Sequence, residues 1–219
     1  FMNVTLSDVL DMFLGQSEGK LHDLFQAARR AAPVVLFLDE LDAIGAKRTL
    51  TRFSSMRNVI NQLLQELDGV DTNNEGLFTL AATNAPWDVD SALRRPGRLD
   101  RTILVLPPDE PARMAILKHD LVRRPVEGIN LAKLARDTDG FTGADLSHLC
   151  ESAAELAMID SVRSGRPRMI GMKDFTTAFK QVQPSARAWF EMARNVVTYA
   201  DPNGEYADLA AYMRKKRLL

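Results

Sequence analysis

The sequence predicts an α/β fold built on a parallel sheet, followed by an all-helical domain and a helical tail. Three observations carry this reading. Val34 to Leu38 are five consecutive apolar residues of strand character, which suits a strand buried on both faces, as in a parallel sheet covered by helices. Strand-like segments at residues 1–5, 34–39, 77–83 and 102–106 alternate with helical stretches at 18–31 and 53–67 and a short turn near 90–93, the order of an α/β layer. After Pro107-Pro108 the pattern turns helical only, at residues 111–122, 131–137, 143–162 and 172–181.

Each element has a local reason. Pro107-Pro108 ends the last strand, and Asp109-Glu110-Pro111 is a good helix start. Thr142 and Asp145 form an S/T-x-x-D capping pattern at the head of the longest helix. Pro184 opens a tail with Trp189, Phe190, Val196, Val197 and Tyr199, and an amphipathic piece at 206–213 ends in Arg214-Lys215-Lys216-Arg217. The expected division is an α/β domain at 1–106, a helical domain at 107–183 and a tail at 184–219. No internal repeat or low-complexity segment is visible.

Composition narrows the function classes. A chain of 219 residues, 46% apolar and 26% charged, can bury a real core. Its net charge of −1 gives no support to nonspecific binding of nucleic acid or membrane surfaces. A single cysteine, Cys150, rules out an internal disulfide framework and fits a reducing compartment. No apolar run reaches transmembrane length. The sequon at Asn3-Val4-Thr5 falls in an expected strand and is read as chance. The chain opens at Phe1, directly in that strand, which reads as the interior of a longer protein.

The chemistry concentrates where the apolar run stops. Asp39 and Glu40 follow it directly, and ligands of open parallel sheets bind at the carboxyl ends of strands. Two carboxylates buried there need a compensating cation, and magnesium is held by one or two carboxylates plus phosphate oxygens. An ordinary strand end whose acids cap the next helix is the competing reading. Asn84 closes the strand "LFTLAATN" at the same edge, where an amide can hydrogen-bond both a water and a phosphate oxygen; before Pro86 it is equally a turn asparagine.

Arg94, Arg95, Arg98 and Arg101 precede the segment 102–106 and so belong to the opposite, amino edge. From there they reach a neighbour's site if subunits pack head to tail in a ring, or they form a solvated loop paired with Asp90, Asp100 or Asp109. Gly143 and Ala144 are two tiny residues in the first turn after Thr142, which lets a flat base approach the helix. Met12, Phe13 and Leu14 are core residues at a helix end or, on a loop, a grip for apolar peptide side chains. Gly15 to Leu21 is one residue short of a P-loop and has Leu21 where Ser or Thr must hold magnesium, so it is rejected. His22, His119 and His148 lack metal-ligand spacing, and Cys150 lacks a thiol partner; packing or surface roles suit all four.

Taken together and in order, these residues resemble the AAA ATPase family, which includes katanin, spastin and the proteasomal ATPases. "VVLFLDELDAIG" resembles its Walker B motif, "LAATN" its sensor 1, "RRPGRLDR" its paired arginine fingers and "GFTGADL" its lid signature. "ELDGVD" at 66–71 is similar to the segment relaying nucleotide state between subunits, and "MFLGQSE" to the first pore loop. The similarity covers residues 1–181.

The resemblance implies a parallel-sheet P-loop NTPase core, with its first strand and P-loop lying before Phe1, then a helical lid. It implies ATP and Mg2+ as cofactors, with Asp39 on the metal through water, Glu40 polarising the attacking water and Asn84 orienting it. Arg98 and Arg101 would act on an adjacent subunit's ATP, Gly143 and Ala144 would pack near adenine with Ile116, and Phe13 would engage a polypeptide substrate. The implied assembly is a homo-oligomer, a hexameric ring, in the cytoplasm, with no nucleic acid and no membrane segment in this chain. The family often has a histidine one position after His119, where this chain has Asp120. A non-hydrolysing scaffold or regulatory subunit of the same fold is the alternative, and a DNA-associated AAA protein a third reading, opposed by the balanced charge. Without the P-loop, residues 1–219 alone are expected to bind ATP weakly and not to hydrolyse it.

Overall fold

The computed structural model describes residues 1–9, 17–45, 54–69, 73–201 and 204–219. It separates into two compact units, Phe1–Ile103 and Leu104–Leu219.

The first unit is α/β. Three parallel strands, β1 (Met2–Thr5), β2 (Val34–Asp39) and β3 (Leu77–Ala81), lie in that order. Between them run α1 (Leu6–Val9), α2 (Ser17–Arg30), α3 (Leu41–Gly45) and α4 (Ser54–Asp68), and a 3₁₀ turn, Ser91–Arg94, follows. Register places Met2 beside Leu36 and Val4 beside Leu38 on one face. The same face carries Leu77 and Ala81. It packs on Leu21 and Phe25 of α2 and on Ile60 and Leu63 of α4. The alternation in β2 puts Val34, Leu36 and Leu38 in that core and Val35 and Phe37 on the other face. There they register with Phe78 and Leu80, which remain 64% and 42% exposed. Phe1 stacks on Phe37 with ring centroids 6.1 Å apart.

A buried carboxylate ties the helices of this unit together. Glu66 of α4 accepts hydrogen bonds from His22 (2.7 Å) and Gln62 (2.7 Å), and pairs with Arg29 of α2 at 2.7 Å. Burial pushes its carboxyl up, but the bonds from His22, Arg29 and Gln62 outweigh this and hold it below the usual range.

One sequence expectation fails here. Residues 101–109 have no regular structure, so the strand expected at 102–106 is not formed, and Ile103 and Val105 are 80% and 87% exposed. Strands persist through ladder partners, and β3 is hydrogen-bonded only to β2 in the described sheet. The apolar run Ile103 to Leu106 supplies strand propensity but no partner.

The second unit is helical: α5 (Glu110–Leu121), α6 (Leu131–Asp137), α7 (Gly143–Ser164), α8 (Met172–Ala178), α9 (Ala186–Tyr199) and α10 (Ala207–Lys215). Two of the caps, at Asp109 and Thr142, are those the sequence announces, and Asn130 adds a third. Asp109 accepts from Ala112 N–H at 2.9 Å and Asn130 from Lys133 N–H at 2.9 Å. At α7, Thr142 Oγ1 accepts from Asp145 N–H (3.2 Å) while Asp145 Oδ2 accepts from Thr142 N–H (2.8 Å), a complete capping box. Gly165 at φ 67° closes that helix.

Leu117, Leu134, Phe141, Leu146, Leu149 and Phe175 form the core. Arg168 joins α7 to α8 through Asp160 (2.7 Å) and Asp174 (2.8 Å). Cys150 is buried, and burial pushes its thiol up to about 12, so it stays protonated and serves as packing. Among the described residues, no helix is long and apolar enough to cross a membrane.

Candidate active site

Parallel strands point the same way, so β2 and β3 deliver Asp39, Glu40 and residues 82–84 to one edge. The ladder runs on past the strands: Ala82 N–H donates to Leu38 O and Leu41 N–H to Ala82 O, both at 2.9 Å. Asp42, in the first turn of α3, then binds the two strand ends together. Its Oδ1 accepts from Thr83 Oγ1 at 2.6 Å and from Asn84 N–H at 3.3 Å. Thr83 Oγ1 also accepts from Ala85 N–H at 3.0 Å, setting the turn that carries Asn84. Sequence reasoning named Asp39, Glu40 and Asn84 but missed Asp42 and Thr83; the signal was the second aspartate of "DELD", one helical turn after the first.

Glu40 sits at φ 55°, a left-handed backbone that costs a residue with a Cβ about 1 kcal/mol or more. Two contacts hold it there. Its N–H donates to Asp39 Oδ1 at 2.8 Å, and its own Oε2 accepts from Ser7 Oγ at 2.7 Å. The exposed Glu40 carboxylate is thus aimed by Ser7 of α1, just after β1, which the sequence reading did not single out.

The arginines lie elsewhere. Arg98 makes a two-pronged ion pair with Asp68 at the end of α4 and donates from Nη1 to Ala92 O at 2.6 Å. The Asp68 pair holds the arginine's pKa above its usual value and the aspartate's below. For Arg98 the carboxylate partner is Asp68, thirty positions earlier in the sequence, which the reading from neighbouring acids did not include. The end of α4 faces the amino edge of the sheet. Asn74 donates to Glu66 O and Leu67 O (2.9 and 3.1 Å) and accepts through its backbone from Leu77 N–H, where β3 begins. A six-residue strand separates the two edges by roughly 20 Å, so Arg98 and the Asp39–Glu40 pair occupy opposite ends of one unit. Arg101 is exposed.

In the helical unit Gly143 and Ala144 form the first turn of α7. A Cβ built on Gly143 would meet nothing within 4 Å, leaving room for a flat group. Ile116 is partly buried against the helical core. Asp120, at the position where histidine was noted, accepts from Ser147 Oγ at 2.7 Å, tying α5 to α7. Phe13 lies outside the described residues.

Two adjacent carboxylates at a strand end match the donor set for a hydrated magnesium ion, which takes one or two carboxylates and completes its shell with water and phosphate oxygens. Among the described residues, no three or more His, Cys, Asp or Glu form a metal-holding group, as an all-protein cage would require.

Two family descriptions match the chain: "ATPase family associated with various cellular activities (AAA)" over residues 1–106, and "AAA+ lid domain" over residues 128–177. Among curated proteins, the chain is similar to the ATP-dependent zinc metalloprotease FtsH of Caldicellulosiruptor bescii, 40% identical over 207 residues, or 91% of this chain and 33% of that protein. It is 42% identical to the FtsH of Acidimicrobium ferrooxidans over 182 residues, 81% of this chain and 27% of the relative. With that of Thermotoga maritima it shares 38% over 223 residues, 94% of this chain and 36% of the relative. The chain therefore spans about a third of the length of these relatives. The two matched regions, one on the α/β unit and one on the helical unit, place this chain in the AAA family of ATPases.

Proposed function

We propose that this chain belongs to a ring-forming ATPase that couples ATP hydrolysis to work on a polypeptide. The observation that carries the reading is the convergence of Asp39, Glu40 and Asn84 on one sheet edge, with Asp42 joining the strand ends. The similarity to proteins named ATP-dependent proteases supports a polypeptide as the thing acted on. Residues 1–106 would form the nucleotide-binding layer, 107–183 the lid and 184–219 the tail.

In this reading Asp39 orients the water shell of a Mg2+ ion, which supplies charge neutralisation to the phosphates when bound. Glu40 takes the proton of the attacking water, and to do so its Oε2 must leave Ser7. Asn84 holds that water against the terminal phosphate. Adenine lies on the open face at Gly143 and Ala144, with Ile116 beside it. Arg98 and Arg101, at the far edge, serve the next subunit's ATP in a head-to-tail ring, for which a hexamer is the proposed size. An arginine supplied in trans is worth roughly 10³–10⁵ in rate. Phe13 grips the substrate in the pore, and the module works in the cytoplasm.

The test is Glu40→Gln in the full-length protein. Hydrolysis should fall by about 10²–10⁴ while ATP affinity holds. Parental hydrolysis would overturn the catalytic assignment and favour the scaffold reading.

A further inference from the structure

The tail begins and ends on the same loop. Ser185, just before α9, donates its N–H to Asp145 Oδ2 at 3.1 Å, and its hydroxyl lies 3.4 Å from Thr142 Oγ1. Thirty-one positions later in the sequence, Lys216 Nζ donates to both carboxylate oxygens of Asp139 at 2.7 and 2.8 Å. Asp139 and Thr142 belong to the turn that leads from α6 into α7, and Asp145 to the first turn of α7, beside Gly143 and Ala144.

The hairpin between these two feet is built to hold its shape. Phe190 of α9 stacks on Tyr212 of α10 at 5.7 Å, and Phe190, Ala193, Leu209 and Met213 are buried. Asp201 accepts from the N–H groups of Glu205 (2.7 Å) and Tyr206 (3.0 Å), fixing the approach to α10. Asp139 is itself set against the buried Arg113 at 3.4 Å, so the Lys216 foot stands on an anchored residue.

We propose that α9 and α10 form an intramolecular strap that positions the first turn of α7 for the purine base, with Ser185 and Lys216 as positioning residues. The inference rests on the reading that adenine packs at Gly143 and Ala144. A strap with feet on both sides of a turn limits how that turn can tilt. It should therefore tune contact with the base and leave the phosphate end alone.

The test measures binding of MgATP and of inorganic tripolyphosphate to the full-length protein by calorimetry. Lys216→Ala removes an exposed pair worth up to about 1 kcal/mol, so ATP affinity should fall about two- to five-fold. Tripolyphosphate affinity should not change, and Lys216→Arg should restore ATP binding. Ser185→Pro, which deletes the N–H donor at the other foot, should reproduce the same selective loss. A parental ratio of the two affinities in both variants overturns the strap. So does an equal loss of both ligands, the signature of a merely loosened fold. Gly143→Val separates this from failure of the underlying reading: its Cβ enters open space, so unchanged ATP affinity in that variant would remove adenine from this helix altogether.

Discussion

In the α/β unit, Leu36 and Leu38 are sealed against Phe25, Ile60 and Leu63, while Phe78 and Leu80 on the opposite face of the same sheet stay exposed. In the helical unit, by contrast, α7 is covered on its apolar side by α5 and α8, and Phe175, Leu146 and Leu149 are fully enclosed. The core-facing residues of both units pack as their patterns direct, yet the sheet keeps one open face. A helix needs a single covered stripe, whereas a parallel sheet needs cover on both faces and a partner at each edge. The described residues bury the α7 stripe of Leu146, Leu149 and Ala153, though Met158 and Val162 further along stay exposed, and they cover one face of the sheet. The side left bare carries Asp39, so the carboxylate proposed to face magnesium lies on the open face.

Substitutions can break or sharpen this contrast. Phe175→Ala should cost the most, about 3–5 kcal/mol in urea unfolding, because a closed core cannot relax around the cavity. A value near 1 kcal/mol would mean the helical core is not sealed. Glu66→Ala strands the Arg29 guanidinium between α2 and α4 and should cost about 3 kcal/mol. Glu66 also carries a pH signature. Its carboxyl is held below the usual range, so its contribution is complete above the unfolded carboxyl pKa and is lost as pH falls through the lower, folded value. Glu66→Gln should therefore flatten the acid limb of the stability profile.

Thr142→Ala removes one half of the α7 capping box and should cost about 1 kcal/mol, read as a shift in the urea midpoint. Phe78→Thr should have the smallest effect, within about 0.5 kcal/mol in this chain, because its ring meets solvent. A loss of several kcal/mol there would show the second face to be covered and would erase the contrast.

The acidic strand end was legible because a long apolar run stopping at two charges has few structural explanations. The capping box at Thr142 and Asp145 was legible because it lies within four residues of sequence. The pairs Ser7–Glu40, Asp42–Thr83 and Asp68–Arg98 join positions tens of residues apart. Only the strand order brings them together, and local pattern does not encode it. Residues 102–106 teach the converse. Their run of four apolar residues is a real strand signal, but strand propensity without a ladder leaves Ile103 and Val105 in water.

The left-handed backbone of Glu40 has a consequence for anyone improving this protein by selection. At φ 55°, glycine fits without the penalty a Cβ brings. A library screened for heat resistance alone should therefore accept Gly at position 40 readily and enrich proteins without the carboxylate proposed above to activate water. Screens on this fold need a turnover readout beside the melting curve, because at this one residue durability and activity pull the sequence in opposite directions.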